Sequence, residues 1–360
     1  MKPGLQRPGL VGRGAELALL NEELEAAARG SGRTVVIHGE PGIGKTRLLS
    51  DFLAVARRKA LVLSARAYPL GTTSPFGLLD DALYEHLRTL SPGLLERPER
   101  ARVLEEVTQL VRGLAVEKPV VLALDDIHLA DPSTWEAFHH LARHAAGSRL
   151  LLLVALRTAE LSASPVISDL VGSLVQDWLA RELVLAPLDR SAVWELARRA
   201  LAREDIPATL GEWLYTKTLG NPLFVMGFLQ AVADRGGDFD TPALSTVPDS
   251  LRQRVAARVG GLAAPARAVL EAAAVIGERA HPTDIRTVAG VAAADLPSLL
   301  EELVGRRLLD EVESRSGPGY DFVHPLVQEA VYESIGGLRR RQMHLKAARA
   351  LAGAGRSAGA

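Results

Sequence analysis

The chain has 360 residues, of which 48% are hydrophobic, 24% charged and 4% aromatic, which excludes general disorder and predicts two or three domains with aliphatic cores. A formal net charge of −1 excludes a generally basic nucleic-acid-binding protein, so we do not expect this chain to bind DNA directly. The lack of cysteine excludes disulfides, zinc–thiolate sites and thiol nucleophiles.

The first half of the chain alternates short aliphatic segments with amphipathic ones. Five aliphatic segments are typical of buried strands, at 34–38, 61–63, 120–124, 150–156 and 183–185. Helical spacing of apolar residues predicts five helices, over 16–29, 45–58, 76–90, 101–116 and 133–146. Strands that alternate with helices indicate βαβ units. We therefore expect residues 1–188 to form an α/β domain with a parallel sheet and helices on both faces.

Helical patterns dominate after residue 189. Six helices are predicted, over 191–203, 210–218, 223–234, 250–262, 265–276 and 294–306. The apolar segments 308–312 and 320–323 flank a Ser/Gly/Pro stretch at 314–319 that is typical of the turn between paired strands. This order predicts three further regions, which are an all-helical lid at 189–262, a winged-helix domain at 263–338, and a C-terminal helix with a frayed tail at 339–360.

Residues 39–46 read Gly-Glu-Pro-Gly-Ile-Gly-Lys-Thr and fit the pattern G-x-x-x-x-G-K-[ST] between a predicted strand and a predicted helix. In this pattern Gly39, Gly42 and Gly44 allow the backbone to curl, so that its N–H groups point at phosphate oxygens. Lys45 is expected to reach the β- and γ-phosphates, and the Thr46 hydroxyl to bind Mg²⁺. The motif predicts a site for ATP or ADP with Mg²⁺, the alternative being a glycine turn that happens to contain a lysine.

Two carboxylates end the aliphatic strand predicted at 120–124. We expect Asp125 to hold Mg²⁺, directly or through water, and Asp126 to polarise the attacking water. The alternative is an ordinary acidic strand end. Arg157 follows the next predicted strand and could sense the γ-phosphate, unless it is a solvated arginine. Arg181, just before the last strand, could serve as an arginine finger toward a neighbouring subunit.

With these motifs, the chain resembles the amino-terminal ATPase part of the large ATP-binding LuxR-type bacterial regulators, which belong to the STAND class of signalling P-loop ATPases. The resemblance covers residues 10 to 351. It rests on the segments 10–13, 39–46, 120–126, 155–157, 220–224 and 322–332. It implies a slow ATPase that acts as a signal-transduction switch in transcription regulation, in the cytoplasm, with self-association in the ATP state.

The resemblance also implies roles for individual residues. Val11 and Arg13 belong to a lead-in that contacts adenine in similar proteins, and Pro222 corresponds to a proline that packs on the base. His324 corresponds to a winged-helix histidine that bonds the ADP β-phosphate and locks the closed state. The alternative for His324 is a histidine whose polar atoms are satisfied at a helix N-terminus.

One departure concerns length. Similar regulators continue through a helical-repeat sensor to a helix-turn-helix domain, whereas this sequence stops at residue 360, so we expect both parts to be missing. We also expect no membrane segment, because the longest aliphatic run, 150–156, is far shorter than the roughly 20 residues that span a bilayer.

Three other functions stay open. The same motifs suit an ATPase of the origin-recognition or clamp-loader kind that acts on a partner. They also suit a P-loop kinase for a small molecule, or a nucleotide-dependent scaffold without useful turnover.

Overall fold

The structure, a computed structural model, describes residues 5–6, 8–68, 74–91, 93–95, 99–235, 247–314 and 317–353. Most of the predicted frayed tail, from residue 354 onward, and residues 315–316 of the predicted turn lie outside the described residues. The chain divides into two compact units. The first unit comprises Gly9–Pro187, and the second comprises Leu188–Ala360 together with Met1–Pro8.

The first unit contains a five-stranded sheet in which every pair of neighbours is parallel. Its strands are β1 (Arg33–Gly39), β2 (Leu61–Arg66), β3 (Val120–Asp125), β4 (Leu150–Arg157) and β5 (Arg181–Leu185). Their order across the sheet is β2-β3-β4-β1-β5. Because parallel strands are joined by crossovers, the carboxyl ends of all five lie at one edge. The predicted α/β fold with a parallel sheet is confirmed.

Helices cover both faces of this sheet. They are α1 (Gly14–Ala28), α2 (Lys45–Ala56), α3 (Gly77–Leu90), α4 (Arg100–Glu117), α5 (Pro132–Arg143), α6 (Thr158–Ala163) and α7 (Pro165–Gln176), with a 3₁₀ turn at Ile127–Leu129. Successive strand residues point to opposite faces, so Val35 and Ile37 pack in a core with Phe52 of α2. Val36, between them, packs in the opposite core with Phe138 of α5. Strands buried on both faces explain the continuous aliphatic runs in the sequence.

The second unit is mainly helical. Its helices are α8 (Arg190–Leu201), α9 (Ala208–Thr218), α10 (Pro222–Asp234), α11 (Asp249–Gly260), α12 (Ala264–Ile276), α13 (Pro282–Ala289), α14 (Leu296–Gly305), α15 (Pro325–Ser334) and α16 (Gly337–Gly353). An antiparallel hairpin of β6 (Leu309–Ser314) and β7 (Gly317–Phe322) follows α14. Within the described ranges, no helix has the length and apolar character needed to cross a membrane.

Four helices were not predicted, namely α6, α7, α13 and α15. Three of them begin with proline at the first helical position, where the missing N–H costs nothing and the fixed φ favours the helix. The residue before each proline caps the helix, as Ser164 does by accepting a hydrogen bond from the Ile167 N–H at 3.4 Å. Local capping chemistry, more than apolar periodicity, therefore starts these helices.

Candidate nucleotide-binding site

The loop between β1 and α2 has the shape of a phosphate cradle. Gly42 and Gly44 adopt φ of +82° and +105°, a backbone region that glycine reaches without strain. Gly44 is also the N-cap residue of α2 and has no side chain to satisfy the first N–H groups of the helix. These N–H groups therefore suit an anion. A Cβ on Gly39 would lie 3.0 Å from both the Ile43 Cγ2 atom and the Leu185 carbonyl oxygen, so a side chain at this position would be tightly crowded.

Lys45 lies at the start of α2, and its side chain is folded onto the loop. Its Nζ donates to the carbonyl oxygens of Gly39, at 2.8 Å, and Glu40, at 2.9 Å. The residue is only 7% exposed, and this burial lowers the pKa of Lys45 to about 8. Asp126 opposes the shift and Arg157 adds to it. A buried ammonium that donates two hydrogen bonds to neutral carbonyls would gain from an anionic ligand.

Thr46 and Asp125 meet where β3 ends. Asp125 is 5% exposed and accepts hydrogen bonds from the Thr46 side chain and, at 3.0 Å, from the Asp126 N–H. Burial raises the pKa of Asp125, and the hydrogen bond from Thr46 partly offsets that shift. A hydroxyl beside a carboxylate is an oxygen donor set that suits Mg²⁺ together with nucleotide phosphates. The residues present therefore fit a nucleotide with Mg²⁺.

Arg66 is a site residue that the sequence analysis did not find. It ends β2 directly opposite Asp125 in the β2–β3 register. Its Nε and Nη2 atoms lie 3.1 Å and 2.8 Å from Asp126 Oδ2, and Nε lies 3.6 Å from Asp125 Oδ2. Asp126 itself has a φ of +52° in the left-handed region, so its carboxylate leaves the strand direction. The carboxylate predicted to polarise water is thus engaged by an arginine.

The two arginines predicted near the site have different surroundings. Arg157 ends β4 opposite Gly39 in the β1–β4 register, and its charge acts on Lys45. Arg181 begins β5 and places Nη1 3.0 Å from the Glu23 Oε1 atom, with its side chain 56% exposed. The structure therefore brings Arg157 to the phosphate cradle. The arginine-finger role of Arg181 stays a prediction.

The predicted adenine lead-in is anchored to the same loop. Arg13 is buried, and its Nη2 atom donates to the carbonyl oxygens of Ile43, at 3.2 Å, and Ala186, at 2.6 Å. Its Nη1 atom pairs with Glu16 at 2.9 Å. These bonds connect the lead-in with the phosphate cradle and with the end of β5. Val11 is half-buried, and contact of either residue with adenine stays a prediction.

Pro222 and His324 both belong to the second unit. Pro222 is the first residue of α10, after Asn221, whose side chain accepts from the Leu223 N–H at 3.1 Å. His324 caps α15, where its Nδ1 atom accepts from the Leu326 N–H at 3.1 Å. The ring proton must therefore lie on Nε2, which donates to the Thr218 carbonyl at 2.8 Å. Burial lowers the pKa of His324, so the ring is neutral. The nucleotide contacts of both residues stay predictions.

Part of the first unit is similar in sequence to a known protein family. A family model described as the AAA ATPase domain matches residues 9–154. An uncharacterized protein of Rhizobium meliloti (strain 1021) is 23% identical over 93% of this chain and 36% of its own length. The chain thus spans about a third of that relative.

Two solved structures are similar. A Walker-type ATPase of Pyrococcus abyssi is 18% identical, with a TM-score of 0.62 over 90% of this chain and 98% of that chain. A STAND protein of Pyrococcus horikoshii with a tetratricopeptide repeat sensor is 17% identical, with a TM-score of 0.43 over 98% of this chain and 47% of that chain. The fold of the first structure and the family match agree with the site's geometry. Residues 9–154 thus match the AAA ATPase domain model, and the first unit has an α/β fold like that of a P-loop ATPase.

Proposed function

We propose that this chain is an ATP/ADP-dependent switch in signal transduction that hydrolyses ATP slowly. The observation that carries the proposal is the ion pair between Arg66 and Asp126 at a site otherwise arranged for nucleotide. The phosphate cradle and Lys45 bind the nucleotide, whereas the Asp126 carboxylate that would polarise water is paired with Arg66. Such a site retains nucleotide for long periods, as a switch requires.

Each residue of the site has a role in this proposal. The loop N–H groups and Lys45 hold the β- and γ-phosphates, and Thr46 with Asp125 holds Mg²⁺. Arg157 stabilises the charge at the terminal phosphate. Bound Mg-ATP supplies the bond that is cleaved and the divalent charge beside it. Asp126 orients the attacking water only after Arg66 releases its carboxylate, which makes hydrolysis slow.

The proposal includes a regulatory role like that of LuxR-type ATPases. The resemblance of the segments at 10–13, 220–224 and 322–332 supports it. Three helices and a hairpin, α12 to β7, support a winged-helix domain in the second unit. For His324 to bond a phosphate, its Nε2–H must exchange the Thr218 carbonyl for a phosphate oxygen. Self-association in the ATP state would then follow from release of ADP.

The test is to purify the protein without added nucleotide, denature it, and identify what it releases. We expect about one ADP per chain, together with slow ATP turnover that Arg66→Ala accelerates. Arg100→Ala is a matched control, because that arginine lies 3.6 Å from Glu136 on the surface, away from the site. An empty protein with rapid, steady turnover would contradict the switch and favour the origin-recognition or clamp-loader alternative.

A further inference from the structure

His128 lies in the 3₁₀ turn that directly follows Asp126. Part of the residue is exposed, but both of its ring nitrogens are buried, and neither has a hydrogen-bond partner among the described residues. Native proteins satisfy the great majority of their buried polar atoms. Two unpaired nitrogens on one imidazole therefore point to a ligand that completes the site.

The charged neighbours of His128 are the residues already assigned to phosphate. Arg157 and Lys45 both act on the imidazole as positive charges, and Asp126 acts as a negative one. Burial and the two cations lower the pKa of His128 to about 4. The ring is therefore neutral at physiological pH, with one N–H that donates and one nitrogen that accepts.

His38 provides a comparison within the same unit. It too is buried and precedes the phosphate cradle directly, but its Nδ1 atom lies 3.2 Å from Thr158 Oγ1. Its Nε2 atom has no hydrogen bond among the described residues, but it lies 3.4 Å from the Glu182 carboxylate. His38 thus has a hydrogen bond at one ring nitrogen and a carboxylate near the other, whereas His128 has a hydrogen bond at neither nitrogen within the described residues.

Two cations and a neutral N–H donor beside one another suit an anion that offers several oxygen acceptors. Lys45 and Arg157 are the cations expected at the terminal phosphate. We propose that His128 donates a hydrogen bond to the terminal phosphate of a bound nucleoside triphosphate, and so distinguishes triphosphates from diphosphates. This inference rests on the proposed nucleotide site and adds a specificity-determining residue to it.

The test measures binding, without turnover. Isothermal titration with Mg²⁺ and either AMP-PNP or ADP is carried out on the full chain and on His128→Phe and His128→Gln. His128→Phe keeps the ring volume without a donor, and we expect its affinity for AMP-PNP to fall roughly tenfold, as for loss of one charge-assisted hydrogen bond. The affinity for ADP should stay within about twofold, since ADP lacks the phosphate that His128 contacts. His128→Gln, which keeps an N–H donor, should restore most of the AMP-PNP affinity.

Nitrogen NMR of the unmodified chain gives a second readout that needs no folded variant. Saturation with Mg-AMP-PNP should shift the ring signals of His128, and saturation with Mg-ADP should leave them near their nucleotide-free positions. His38→Gln is the matched control for the titration, and it should not change the ratio of AMP-PNP to ADP affinity.

Two results overturn the inference and leave the proposed function intact. One is an equal loss of affinity for both nucleotides in His128→Phe, or no loss for either. The other is ring signals that respond identically to AMP-PNP and ADP. Failure of the unmodified chain to bind either nucleotide would instead refute the proposed site, and the inference with it.

Discussion

Two histidines with buried ring nitrogens, one in each unit, differ in their hydrogen bonding. The Nε2–H of His324 donates to the Thr218 carbonyl, and its Nδ1 atom accepts from the Leu326 N–H. The centroid of its ring lies 4.4 Å from that of Phe224. His128 has charges around it and no hydrogen-bond partner within the described part of the chain. The same residue type therefore has both ring nitrogens hydrogen-bonded in one unit and neither in the other, where we propose that a ligand supplies the partner.

This difference gives a general criterion for the whole site. A buried polar group with complete protein partners stabilises the fold, and its removal should lower stability. A buried polar group whose hydrogen-bond partners are missing or neutral, as the carbonyl partners of Lys45 are, is expected to serve a ligand, and its removal should lower binding or turnover. Single substitutions test to which of these two classes a residue belongs.

Asp126→Asn should have the largest effect. The neutral amide cannot polarise water as a carboxylate does, so single-turnover ATP hydrolysis should fall about 10²–10⁴-fold, the usual contribution of a general base. Binding of Mg-ATP should persist. Asp51→Asn is the control, because that carboxylate pairs with Arg47 on the surface of α2. Unchanged hydrolysis in Asp126→Asn would show that this carboxylate does not polarise the attacking water.

Lys45→Ala should weaken ATP binding about 100-fold, because a buried charge-assisted contact to phosphate is lost. Equilibrium titration with a fluorescent ATP analogue measures the change. Lys59→Ala should bind normally, since its side chain is 61% exposed and lies 3.9 Å from Glu25. If Lys45→Ala keeps an ATP affinity within threefold of that of the unmodified chain, Lys45 contributes to the fold and not to ATP binding.

His324→Ala tests the other class. It leaves the Leu326 N–H unpaired, leaves the Thr218 carbonyl with only its bond from the Asn221 N–H among the described residues, and removes a ring packed on Phe224. The free energy of unfolding should therefore fall by about 2–4 kcal/mol. Urea denaturation followed by circular dichroism measures it. His144→Ala, on an exposed histidine, should be nearly neutral. If the urea midpoint of His324→Ala is unchanged, the hydrogen bonds of His324 do not stabilise the fold, and the contrast with His128 is wrong.

The smallest effect concerns pH. Burial lowers the pKa of His324 below its ordinary value of 6.5, so in acid the unfolded chain binds a proton that the folded chain does not. The stability from neutral His324 is complete above pH 6.5 and is lost as the pH falls below it, by at most about 1.4 kcal/mol per pH unit. The fall in stability from pH 7 to pH 5 should be shallower in His324→Gln, and an identical slope would contradict this assignment.

Sequence patterns predicted the parts of the site that are contiguous in the chain. The glycine loop with Lys45 and Thr46, and the strand that ends in Asp125, follow from short motifs because local backbone geometry creates them. Arg66 could not be predicted in this way. The strand expected at 61–63 continues to Arg66, and only the β2–β3 register brings that arginine to Asp126.

The two histidines illustrate the same limit. A histidine two residues after Asp126 resembles a solvated polar residue, and it is the packed structure that buries its ring nitrogens. The Thr218 carbonyl that accepts from His324 is 106 positions away in the chain. Pairings over such distances depend on the packed structure, which periodicity and motifs do not encode.

The place of β4 in the sheet has a consequence for biosynthesis. β4 is the fourth strand of this sheet in chain order, yet it lies between β3 and β1 and pairs with both in the order β2-β3-β4-β1-β5. Without Leu150–Arg157, the backbone edges of β1 and β3 that pair with β4 would be open, and nothing in the sheet would hold the glycine loop beside the acidic strand. The family match ends at residue 154, inside this strand, so a fragment cut there would carry every phosphate-binding motif and still lack Arg157 and β5. We therefore expect the site to assemble during synthesis only after this central strand has been made.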